Sequence, residues 1–165
     1  MFWGRDLARR GVLGLNARNA DYIMQLNPRR LYPRVDDKVL TKTLAIEAGM
    51  AVPECYSVAY SQADVNRLPS VLAERESFVI KPANGSGGDG IIVVDGKRGD
   101  SFRLINGLLI DQSALLHHAS NIVGGQFSLT GGADSALIEY RVRFDPVFDE
   151  ISYQGVPDIR IIVYR

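Results

Sequence analysis

A single cysteine, Cys55, stands among the 165 residues, so no disulfide can form within the chain, and that usage suits a reducing cytoplasm. No apolar run approaches the roughly 18 residues that a membrane-spanning helix needs. The opening stretch Met1-Phe-Trp-Gly-Arg-Asp-Leu-Ala-Arg-Arg10 lacks the continuous apolar segment of a secretory leader. Net charge is missing as well. Lys and Arg total 19, Asp and Glu 19, giving +0, so the total offers no argument for nucleic acid or an anionic membrane as partner. Histidine is scarce. His117 and His118 are neighbours on different faces of a predicted helix, with no carboxylate or cysteine at ligand spacing, so neither a metal nor a catalytic role is expected of them. No internal repeat or low-complexity tract is present. What remains is 46% hydrophobic, as in a soluble globular protein of one ordinary domain or two small ones.

The chain is organised around Phe78-Val-Ile-Lys-Pro-Ala-Asn-Gly-Ser-Gly-Gly-Asp-Gly-Ile-Ile-Val-Val94. Two β-branched runs bounded by glycines read as strand, loop, strand. Glycine permits positive φ and close approach to the main chain, and successive N–H groups in such a turn form a concave anion site. Lys81, just upstream, supplies the matching charge, and polyphosphate is the expected guest. Gly85, Gly87 and Gly90 also spell Gly-x-Gly-x-x-Gly, but a dinucleotide fingerprint opens a helix, whereas Ile91-Ile-Val-Val94 reads as a strand. In protein kinases the lysine follows the glycine loop, and later motifs absent here complete the site. A mobile hairpin without a ligand is the plain alternative.

In chain order, 7–15 and 19–26 read as helical pieces broken around Gly14 and Asn16, and 31–35 as an irregular connector. The first 35 residues carry seven arginines, Arg5, Arg9, Arg10, Arg18, Arg29, Arg30 and Arg34, against Asp6 and Asp21. Such a run usually forms a solvated face with local salt bridges; an acidic substrate or partner is the functional alternative. Residues 36–49 form the clearest helix, with an aspartate cap, Leu40, Leu44 and Ala48 on one face, and Gly49 at the left-handed C-terminal position. Lys38 in its first turn opposes the helix dipole; it is either an exposed lysine neutralised by Asp36 and Asp37 or one directed at an anion. A short strand (56–60), a polar helix (62–75), a turn (96–99) and a helix (113–122, capped by Asp111 or Ser113) follow. Ala136-Leu-Ile-Glu-Tyr-Arg-Val142 is a strand, and Glu139 within it, taken alone, suggests an exposed edge. Residues 143–157 are irregular, and 158–165 read as an apolar strand that needs a cover for its edge.

Lys38 at a helix start, Lys81 ending a strand, the glycine loop, Glu139-Tyr140, and Asp158-Ile-Arg160 together resemble the ATP-grasp carboxylate–amine ligases. Asn16-Ala-Arg-Asn-Ala-Asp-Tyr-Ile23 and Asn27-Pro-Arg-Arg-Leu-Tyr-Pro-Arg-Val-Asp-Asp-Lys38 resemble their alpha-L-glutamate ligase-like branch. The resemblance implies an α+β fold of mixed or antiparallel sheets with helices, stopping before the end of the second subdomain. It divides the chain into a helical segment (1–35), a nucleotide-binding subdomain (36–135) and the start of a second subdomain and sheet (136–165).

It also implies roles. Lys38 and Lys81 would contact the ATP phosphates, with Gly85, Ser86, Gly87 and Gly88 closing over them. Glu139 and Tyr140 would hold the adenine, Asp158 the ribose, and Arg160 the transferred phosphate. The implied reaction forms an acyl phosphate and then an amide, and adds glutamate or a similar amino acid. Mg²⁺ is the implied metal, with ligands expected beyond Arg165. The chain is therefore expected to be a ligase half, inactive until a C-terminal half or second chain completes it, and cytoplasmic, with neither membrane nor nucleic-acid partner. A non-catalytic nucleotide-binding module is one alternative. Another ATP-grasp chemistry, attached to envelope or sugar metabolism, is the other.

Overall fold

A computed structural model describes residues 3–129, 131–143, 145–148 and 150. The chain forms two compact units, 1–48 and 49–165.

The first unit is helical. It contains α1 (Trp3–Arg9), then α2 (Leu15–Ala17), a π-helical turn (Arg18–Ile23) and α3 (Met24–Leu26) without a break. The expected interruption covers 10–14, opening at Gly11 with φ +80° and including Gly14, whereas Asn16 lies within α2. The connector expected over 31–35 is instead a 3-10 turn (Arg29–Leu31) running into α4 (Pro33–Asp36), because Pro33 at a first helical position has its φ already set for a helix. In α5 (Lys38–Glu47), Asp37 is the cap and accepts from the Val39 and Leu40 amides at 2.8 and 3.1 Å. The helix stops before Gly49, whose φ is +73°, as the glycine predicted. Lys38 occupies its first turn.

The second unit is a six-stranded antiparallel sheet in the order β1-β6-β2-β3-β4-β5. Its strands are β1 (Cys55–Ala59), β2 (Phe78–Pro82), β3 (Ile92–Arg98), β4 (Ser101–Leu104), β5 (Leu109–Ile110) and β6 (Ala136–Glu139). Strand alternation sends Phe78 and Ile80 to one face, where they meet Val94, Phe102 and Ile138. α6 (Gln62–Val65), α7 (Leu68–Ala73) and α8 (Gln112–Val123) close that core with Val65, Leu68, Leu72, Leu115, Ala119 and Ile122. Burial of each large side chain contributes about 1.5–3 kcal/mol. Phe78 and Phe102 meet edge to face with centroids 5.6 Å apart, a favoured aromatic geometry.

Three expectations change here, and two strands appear that the sequence did not show. The segment 62–75 is two short helices with three buried apolar side chains, not one polar helix. β3 runs on to Arg98, and the turn falls at Gly99, where φ is +59°. β4 and β5 were not legible as strands. Finally, 136–139 does not open a second sheet: β6 pairs with β1 on one side and β2 on the other, so it is an interior strand with all four residues buried. The expected strand 158–165 lies outside the described residues.

Candidate functional site

The face of the sheet opposite α8 carries charge. In the β2–β6 ladder Lys81 stands opposite Leu137, and Glu139 opposite Val79. Lys81 and Glu139 are therefore diagonal neighbours on one face, within reach of long side chains, and Lys81 Nζ forms an ion pair with Glu139 Oε1. Glu139 is 4% exposed, so the edge-exposed reading of this glutamate is corrected. An interior strand buries it, and a buried carboxylate needs a cation or donors to replace water.

A second charged group lies on β3. Asp95 accepts from Arg103 of β4 at 2.8 Å and pairs with Arg141, two residues beyond Glu139. At the β1 end the Tyr140 amide donates to the Glu54 carbonyl at 2.8 Å, while the Tyr140 side chain is exposed. Nearby, the Arg75 guanidinium lies 4.1 Å above the Tyr56 ring. Burial holds the Tyr56 phenol above its ordinary value, with Glu54 pushing the same way and Arg75 opposing.

The glycine loop leaves β2 after Pro82, the residue following Lys81, and spans 83–91. At Gly85 an added Cβ would stand 2.4 Å from Pro82 Cγ, so only glycine fits. Gly87 and Gly88 have φ of +65° and +86°, in the left-handed region that glycine enters at no steric cost. The loop closes on itself through the Asp89 amide to the Ser86 carbonyl (3.1 Å) and the Ile91 amide to the Gly88 carbonyl (3.3 Å). The amides of Ser86, Gly87 and Gly88 donate to no acceptor among the described residues. Three donors in a left-handed turn beside a lysine match an anionic, oxygen-rich guest.

The loop's first foot is held by Asp134, which is 5% exposed. It accepts from the Asn84 amide (3.1 Å), Asn84 Nδ2 (2.8 Å) and the Ser135 amide (2.7 Å).

Of the residues the sequence singled out, the structure brings Lys81 and Glu139 together, with Tyr140 next in the chain, and places Gly85, Ser86, Gly87 and Gly88 in the loop that follows the lysine strand. Lys38 belongs to the first unit. Asp158 and Arg160 lie outside the described residues. Asp95, Arg103, Arg141 and Asp134 were not anticipated, because each acts through a partner distant in sequence. The one signal was an aspartate two residues before a strand, Asp134 ahead of Ala136. The described residues fit a polyphosphate. Among them no three His, Cys, Asp or Glu side chains group as metal ligands. No helix among the described residues is long and apolar enough to cross a membrane.

An antiparallel sheet with helices on one face, a buried Lys81–Glu139 pair on the other, and a glycine-rich loop following the lysine fits an ATP-grasp protein. Within that class the chain belongs to the sugar-transfer associated ATP-grasp family, which matches residues 17–165. The match is to this family and not specifically to the glutamate ligase-like branch. No curated protein and no solved structure matches the chain.

Proposed function

We propose that the chain binds ATP beneath the glycine loop and serves an ATP-dependent ligase joining a carboxylate to an amine. The observation that carries this reading is the loop itself, with three available amides and Lys81 at its root. Lys81 offers three N–H donors; one meets Glu139, and the others can serve phosphate oxygens without breaking that pair. Glu139 in turn presents a carboxylate to which an adenine amino group could donate. Tyr140 follows Glu139 directly, with its side chain exposed. ATP supplies the phosphoryl group that turns a carboxylate into an acyl phosphate, and the amine displaces that phosphate. Enzymes of this type work by positioning and charge neutralisation rather than by a protein nucleophile.

Lys38, Asp158 and Arg160 keep, within this proposal, the phosphate, ribose and transferred-phosphate roles that the resemblance gives them. The family description favours substrates connected with sugar transfer, with glutamate or a similar amino acid as one amine to test. The cytoplasm, where ATP is abundant, is the compartment we assign.

A non-catalytic nucleotide-binding module is the second reading, favoured by the lack of a carboxylate cluster among the described residues. Calorimetric titration with ATP tests both, with and without Mg²⁺. Binding that weakens at least about tenfold in Lys81→Ala, a loss of roughly 1.4 kcal/mol, supports the loop site; equal binding by both proteins removes it. Release of phosphate on adding carboxylate and amine then separates the ligase from the module.

A further inference from the structure

Both feet of the glycine loop lead to one helix. At the first foot, Asp134 holds Asn84, and the Asp134 amide donates to the carbonyl of Val123 in the last turn of α8 at 3.3 Å. At the second foot, the Gly90 carbonyl lies 2.8 Å from Nε2 of His118, in the middle of the same helix. A carbonyl only accepts, so Nε2 carries the hydrogen, and the tautomer is set by the loop. The Phe127 ring packs at 5.3 Å from the His118 ring. It also fills the space a side chain at position 90 would need, since a Cβ there would stand 2.6 Å from Phe127 Cγ. Gly90 itself has φ +76°. His118 is half-buried, and its one described hydrogen bond is spent on a loop 28 residues away.

We propose that His118 is a positioning residue for the glycine loop: by donating from Nε2 to the Gly90 carbonyl, it fixes how segment 85–89 arches beside Lys81. Its consequence for ATP rests on the phosphate-site reading above. The tip between the feet is exposed, and beneath it a cavity of about 410 Å³, lined by Ser86, Asp89 and residues 126–129, gives it room to move. His118 and Asp134 thus hold the ends while the tip stays adjustable. Contact with the nucleotide is not required of His118. It acts through the Gly90 carbonyl alone.

Hydrogen exchange on the full chain, paired with ATP titration, tests this in wild type, His118→Phe and His118→Gln. Phenylalanine keeps a ring against Phe127 but lacks the donor; glutamine returns an amide N–H near the Nε2 position. Loss of one hydrogen bond predicts roughly three- to tenfold faster exchange in a peptide spanning 84–91. Exchange in α6 and α7 stays unchanged, ATP affinity falls by a similar factor, and His118→Gln recovers both. Unchanged loop exchange in folded His118→Phe overturns the proposal, as does failure of His118→Gln to recover it. If the loop responds as expected while wild type binds no ATP, the anchor stands and the phosphate-site reading falls. If His118→Phe does not fold, wild-type loop exchange in His118→Gln supports the anchor and raised exchange overturns it.

Discussion

At the scale of single residues, the Lys81–Glu139 pair decides most. Removing the lysine leaves a carboxylate in an interior strand without its cation, so Lys81→Ala is expected to cost about 3 kcal/mol, while replacing both partners by apolar side chains costs less than the single change. Urea denaturation of Lys81→Ala beside the Lys81→Met, Glu139→Leu double variant checks this; equal or additive losses would mean the pair is not a unit. Tyr56 gives a pH signature. Its folded value lies above the ordinary 10.0, so the unfolded chain loses the phenolic proton first. Stability is therefore intact below about pH 10 and declines as the pH climbs through the folded value. Wild type should lose stability over that range faster than Tyr56→Phe.

Glycines separate two effects at the scale of elements. Gly87→Ala meets no neighbour within 4 Å but holds φ +65°, so about 1–2 kcal/mol is expected from backbone strain alone. Gly90→Ala adds the collision with Phe127 to its φ of +76° and should cost about 2–5 kcal/mol. Thermal melts of the two variants should rank in that order. At the first turn of α6, the Ser61 side chain hydrogen-bonds Asp64 and lowers the aspartate's value, with the Tyr60 and Ser61 amides assisting and burial opposing. That contribution is present at neutral pH and is lost as the pH falls through the depressed folded value; Ser61→Ala should flatten the acid limb of the stability curve.

How much of this was legible in the sequence depends on where each signal resides. The α5 cap at Asp37, Gly49 beyond the helix, and the strand–loop–strand around Lys81 are local patterns, and they read correctly. Glu139 and β6 read wrongly as edge and new sheet, since only the pairing with β1 and β2 shows the strand to be interior. The pairing of Asp134 with Asn84, and of His118 with Gly90, spans 50 and 28 residues. No periodicity records such contacts.

On the scale of the whole molecule, charge and core are divided unequally. Residues 1–48 hold nine Lys and Arg against five Asp and Glu, hence +4; the other residues hold ten against fourteen, hence −4. Every member of the buried apolar cluster falls between Ala59 and Ile138, and Ala45 is the one buried side chain described in the first unit. The chain lacking 1–48 is accordingly expected to keep a cooperative urea transition, because the core drives it. A broad, non-cooperative transition would instead show that the first unit completes the fold.

The twin attachment of the glycine loop to α8 also bears on how such a protein can diversify. With both ends fixed to one helix, the tip is a span whose reach depends on its length, at roughly 3.3 Å for each residue added. Insertions or exchanges at Ser86 to Asp89 could therefore change the reach of the tip while the sheet remains unaltered. A saturation library across 80–92 should reveal a more permissive window at the tip between two intolerant borders, at Asn84 and Gly85 and at Gly90.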